Sequence, residues 1–142
     1  MADTDPVRSY LRQQGAPYGV ITRGLRGLVE NWERIVDMVT EGYSLTLDDY
    51  LNDMDGRQLL QNGLGVAPPE LRDAFLERVR AADARMKALV VPAGRCLWGA
   101  IVAADEGWKA DTHWWYFTEP RAPGPGLKAE LDRHPSGFGA GD

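Results

Sequence analysis

The chain has 142 residues, 44% hydrophobic and 26% charged, enough for one domain with its own core and incompatible with disorder throughout. A formal net charge of −5 and a pI near 5.0 repel nucleic-acid phosphates and anionic bilayers alike, so neither partner is expected. Cys96 is the single cysteine, the first ten residues lack an apolar signal core, and the longest apolar run, 96–104, is too short to span a bilayer; the expected location is cytoplasmic.

The first strong element is an amphipathic helix over 21–43. Leu25, Leu28, Val29, Trp32, Val36, Val39 and Tyr43 fall within about ±60° of one another at helical spacing, with Glu30, Glu33, Arg34, Asp37 and Glu41 opposite. Thr22 is the expected N-cap, Glu30 and Arg34 an i,i+4 pair, and Gly42 the residue that relaxes the end. The stretch 46–60, TLDDYLNDMDGRQLL, then opens on Thr46 with Asp49 three residues on, a capping box with Asp in place of Glu. Leu47, Tyr50, Leu51 and Met54 form its apolar stripe. Asp48, Asn52 and Asp55, with Asp49 and Asp53, occupy the remaining arc and read as its wet side. Arg57 is placed to neutralise Asp53, the helix is expected to bend or end near Gly56, and Leu59 and Leu60 to plug into a neighbour.

After a turn over 61–70, Pro69 suits a first helical position. Leu71, Phe75, Val79, Ala82, Met86 and Leu89 repeat at helical spacing to about residue 90, and Pro92 and Gly94 stop the third helix. The segments 95–103 and 112–118 are rich in aromatic and β-branched residues around a polar connector, which predicts a β-hairpin. Its expected register sets Gly99 opposite Tyr116, Ala100 opposite Trp115 and Trp98 opposite Phe117; a short helix over 95–104 competes with it. From Pro120 onward prolines and glycines predict a flexible tail in which only 127–133 suits a turn or two of helix. The expected fold is α+β and helix-dominant: three amphipathic helices on a C-terminal aromatic β-hairpin, with a globular domain over 1–119 and a flexible tail over 120–142.

Motifs for chemistry are weak. With Gly56 as the sixth residue of an EF-hand loop, Asp53 and Asp55 take the third and fifth positions, but Leu51 and Asn62 occupy the first and twelfth, where calcium needs carboxylates. Carboxylate pairs such as Asp48 with Asp55, or Asp49 with Asp53, share a face with nothing apolar predicted to desolvate them. In the expected hairpin Cys96 lies roughly 20 Å along the sheet from His113, too far for a nucleophile and its base. No serine stands in a G-x-S-x-G turn, and 62–69 follows a helix and leads into Glu70, which repels an anion. One cysteine and two histidines, His134 in the tail, cannot close a zinc site. Arg72, Arg78, Arg80 and Arg85 scatter around the third helix among acids and read as a solvated face. No catalytic residue, cofactor or metal is assigned.

The aromatics carry the remaining signal. Trp98, Trp108, Trp114, Trp115, Tyr116 and Phe117 crowd together, and an alternating strand cannot bury all of them in one small core. The surplus face is covered by the tail, lined into a pocket, or offered to a partner. The expected function is therefore a non-enzymatic protein-binding module of inhibitor, antitoxin-like or adaptor type, with Trp108, Trp114, Trp115 and Arg121 contacting a basic protein partner. A homo-oligomer is compatible with the same surface. The competing expectation is a small-molecule or hydrolytic site in which His113 and an aspartate act inside an aromatic pocket.

Overall fold

The computed structural model describes residues 5–133. Helices α1 (Pro6–Gln13), α2 (Tyr18–Thr40), α3 (Leu47–Val66) and α4 (Pro69–Leu89) come first, and α4 runs directly into strand β1 (Val90–Pro92). Helix α5 (Ala100–Glu106), a 3-10 turn at Trp114–Tyr116, strand β2 (Thr118–Pro120) and helix α6 (Pro125–Arg133) complete the described chain.

Helix α2 is the central element, packed against α1, α3 and α4. Its predicted apolar stripe is buried from Leu25 to Val39, with Trp32 only 1% exposed. The start differs from expectation: Pro17 precedes the first turn, and the helix breaks at Gly24, which has φ 58° and ψ −147°. That conformation is strained for any residue with a Cβ, so the break falls at glycine. Thr22 therefore lies inside the first segment, where its hydroxyl donates to Gly19 O rather than capping. The predicted Glu30–Arg34 pair gives way to Arg23–Glu30 at 2.9 Å. At the far end Gly42 N donates to Val39 O and Tyr43 N to Met38 O, a Schellman closure.

The capping box of α3 forms as predicted: Asp49 N donates to Thr46 Oγ1 and Thr46 N to Asp49 Oδ2, each at 3.2 Å. The helix does not end at Gly56. A Cβ there would stand 3.2 Å from Asn31 Nδ2, and one at Gly63 would stand 3.1 Å from Leu28 Cδ1, so the two glycines admit α2 to close range. Close packing against α2 offsets the roughly 1 kcal/mol that a mid-helix glycine costs. Continued through Gly56, the buried face takes in Arg57, Leu60 and Leu64 as well as Leu47, Tyr50, Leu51 and Met54. In α4, Pro69 begins the helix and Phe75, Val79, Ala82 and Met86 are buried as expected; Arg78 and Arg85 reach across to Glu33 and Asp37 of α2. Helix α1 was missed, although its signals are plain: Asp5 caps Val7 N and Arg8 N, Pro6 is the first residue, and Val7 and Leu11 form a fully buried i,i+4 pair.

The predicted β-hairpin is absent among the described residues. The antiparallel pair is instead β1 with β2, in the register Val90–Pro120, Val91–Glu119 and Pro92–Thr118, and it closes the base of an excursion over 93–117. Within that excursion the alanine-rich run 100–106 is helical, in line with the competing reading, beginning after Gly99 and ending on the left-handed Gly107. Trp114–Tyr116 winds into a 3-10 turn that sends both Trp115 and Tyr116 into the core. Strict alternation along a strand would have put one of these rings in water, and burial of both outweighs local β-preference. The two segments predicted to pair meet through Leu97 N donating to Tyr116 O at 2.8 Å.

The flexible-tail expectation fails for the part of it described here. Helix α6 lies against α3 and buries Leu127 and Leu131, so the proline- and glycine-rich stretch before it is a tight connection to a packed helix. Residues 134–142, including His134, lie outside the described residues.

Candidate functional site

The aspartates of α3 separate by what folds over them. Asp48, Asp49 and Asn52 stay exposed, while Asp53 and Asp55 are half-buried. Asp53 accepts a short hydrogen bond from Tyr43, not the predicted ion pair from Arg57. Asp55 accepts from Tyr116 Oη at 2.7 Å and from Trp98 Nε1 at 3.1 Å, both on Oδ1. Burial pushes its carboxyl above the ordinary range; these two bonds pull it partly back, and the charge of Glu106 adds to the rise. The wet-side reading of Asp55 fails because the excursion, remote in sequence, returns onto this face.

Around Asp55 lies an open hollow of about 480 Å³. Helix α1 contributes Tyr10 and its C-cap Gln14, α3 contributes Asp55, Gln58, Leu59 and Asn62, α5 contributes Val102 and Glu106, and the rest of the excursion contributes Trp98, Trp108 and Tyr116. Trp108 stacks on Tyr116 with ring centroids 3.8 Å apart and planes 14° from parallel. Gln58 Nε2 donates to Asn62 Oδ1 at 3.0 Å, and Asn62 Nδ2 donates to Tyr10 Oη at 2.9 Å, a chain of bonds that links α3 to α1 along the wall. Among the described residues two carboxylates line the hollow and no lysine or arginine does. Such a lining attracts cations, through both the charges and the electron-rich ring faces.

The neighbouring aromatics do a different job. Arg57, 3% exposed, forms a two-pronged pair with Asp83, Nε to Oδ1 at 3.0 Å and Nη2 to Oδ2 at 2.8 Å. Trp32 Nε1 donates to the same Oδ1 at 2.9 Å, and the guanidinium lies 4.4 Å from the centroid of Trp115. Helices α2, α3 and α4 are thus tied to the 3-10 turn through one charged pair and two indoles. A sequence signal for Arg57 exists: once α3 is carried past Gly56, it falls on the buried face between Met54 and Leu60 and needs an acid in the core.

Of the four residues expected to meet a partner, Trp115 is 2% exposed and belongs to this core. Trp108 is half-buried and lines the hollow. Trp114 is half-buried elsewhere, edge-on to Trp32 at 6.4 Å with Lys87 Nζ 5.1 Å from its ring centroid. Arg121 is exposed, and its backbone N donates to Leu89 O beside a separate cleft lined by Glu119, Lys128 and Asp132. The four are therefore not gathered on one surface.

Nucleophile and metal geometry is likewise dispersed. Cys96 is buried and burial raises its thiol, against the pull of the Trp98 and Gly99 amides. His113 Nδ1 stands 2.8 Å from Thr112 Oγ1 and accepts from Lys109 N at 3.4 Å. It lines no part of the Asp55 hollow. Among the described residues no three His, Cys, Asp or Glu side chains converge to hold a metal ion, and no helix is long and apolar enough to cross a membrane. In comparisons with known proteins, no family model matches the chain, and neither a curated protein nor a solved structure matches it.

Proposed function

We propose that the chain is a small acidic binding protein of the cytoplasm, of inhibitor, antitoxin-like or adaptor type, that engages a basic protein partner at the hollow around Asp55 and Trp108. The observation that carries this reading is the lining: two carboxylates beside the Trp98, Trp108 and Tyr116 rings, with no cationic side chain among them. Aromatic residues at a half-exposed site supply contact area at low entropic cost, and the overall charge of −5 steers a basic partner toward it. A single buried thiol suits a reducing compartment. The competing enzyme reading has less support, since His113 bonds Thr112 and stands apart from the hollow's carboxylates.

The test is affinity capture from the native cell with wild type and with the Asp55→Asn/Glu106→Gln double variant, eluting with rising salt. A partner captured by the wild type, released by moderate salt and lost from the folded double variant is the expected result. Equal capture by both proteins would move the binding surface elsewhere.

A further inference from the structure

We infer that the hollow is built for a guanidinium group, so that the partner inserts an arginine side chain there in preference to a lysine; this rests on the hollow being the partner site. Acceptors line the hollow on more than one side. Both donors that reach Asp55, from Trp98 and Tyr116, fall on Oδ1, and Oδ2 accepts no hydrogen bond among the described residues. Glu106 adds a second carboxylate from α5. One N–H of Gln58 Nε2 goes to Asn62 and one of Asn62 Nδ2 to Tyr10, so part of the wall's donor capacity is turned inward.

A wall rich in unfilled acceptors selects a ligand rich in donors. A quaternary ammonium has none and leaves Asp55 Oδ2 without a donor, at the desolvation cost that an orphaned acceptor carries. A primary ammonium has three donors but is compact and strongly hydrated, whereas guanidinium presents five in one plane, is weakly hydrated and lies flat on an indole. Trp108, stacked on Tyr116 and only half-buried, supplies that indole at the edge of the hollow. Its planar platform beside carboxylates on two different helices fits a flat, forked cation better than a spherical one.

The experiment titrates the full chain with N-acetyl-arginine amide, N-acetyl-lysine amide, the neutral isostere N-acetyl-citrulline amide and tetramethylammonium. The indole N–H resonances are followed by NMR. The arginine derivative should bind about tenfold more tightly than the lysine derivative, shift the Trp98 and Trp108 signals, and weaken by about tenfold with either Asp55→Asn or Glu106→Gln while the spectrum stays folded. The citrulline derivative should not bind. Equal or tighter binding of lysine or tetramethylammonium overturns the inference, as does arginine binding that persists unchanged in the double variant. If the guanidinium preference fails while capture of the basic partner still depends on Asp55 and Glu106, the inference falls and the proposed function stands. If the preference holds but capture ignores both residues, the hollow is a guanidinium site and the partner surface is elsewhere.

Discussion

The helical region, α1 to α4, and the excursion over 93–117 both feed the core but are assembled by different rules. In α2 and α4 every buried side chain lies on a stripe that repeats along its own helix, so the element and its core face are one property. In the excursion the buried residues Cys96, Leu97, Ala103, Trp115 and Tyr116 follow no single period, and the 3-10 turn that carries the last two packs on α3. Local pattern thus builds the scaffold here, while long-range contacts build the hollow around Asp55. Substitutions that treat the two regions alike are the sharpest way to probe the difference.

The largest effects are expected from the two indoles that share the Arg57–Asp83 pair. Trp32→Ala and Trp115→Ala should each cost about 3–5 kcal/mol, the range for truncating a buried aromatic, as measured by denaturant unfolding. If Trp115→Ala proves nearly neutral, the excursion is an appendage and not part of the core. Next, Leu127→Ala should cost about 2–5 kcal/mol because the leucine is fully buried against the domain. Loss of well under 1 kcal/mol would return α6 to the tail that composition predicts. Thr46→Ala removes one half of the α3 capping box and should cost about 1 kcal/mol.

The smallest change in stability is expected at the hollow itself. The folded state raises the Asp55 carboxyl above its ordinary value, so folding takes up protons there: stability from this group is fully present below the ordinary carboxylate pKa and is lost as pH rises through the raised one. Asp55→Asn keeps an acceptor for Trp98 and Tyr116 and removes the buried charge. It should be neutral to mildly stabilising at pH 7 and should flatten the stability profile above the ordinary carboxylate range. A large destabilisation at pH 7 would instead mean that the charge holds the excursion in place.

Much of the scaffold was legible because its signals are local: the capping box at Thr46, the proline at the start of α4 and the stripe around Trp32 are each contained within one element. The errors share one cause, a local rule overruled by a distant surface. Gly56 reads as a helix stop until α2 packs over it, and Asp55 reads as solvated until Trp98 and Tyr116 arrive from more than 40 residues away. Trp108 was singled out from aromatic crowding alone, but Asp55 and Glu106 carried no signal as a pair, since they come to one hollow only through the tertiary fold. Trp114 and Trp115 were expected to divide between surface and core through strand alternation; the 3-10 turn instead buries Trp115 and leaves Trp114 half-buried against Trp32.

The most direct test compares Trp108→Ala with Trp115→Ala, measuring thermal unfolding and retention of the captured partner for each at a temperature where both remain folded. Trp108→Ala should unfold close to the wild type and lose the partner, while Trp115→Ala should lower the unfolding temperature sharply and, while folded, keep at least part of the binding. Retention of the partner by folded Trp108→Ala, or loss of it only in variants that are also unfolded, would contradict a binding site at the Asp55 hollow.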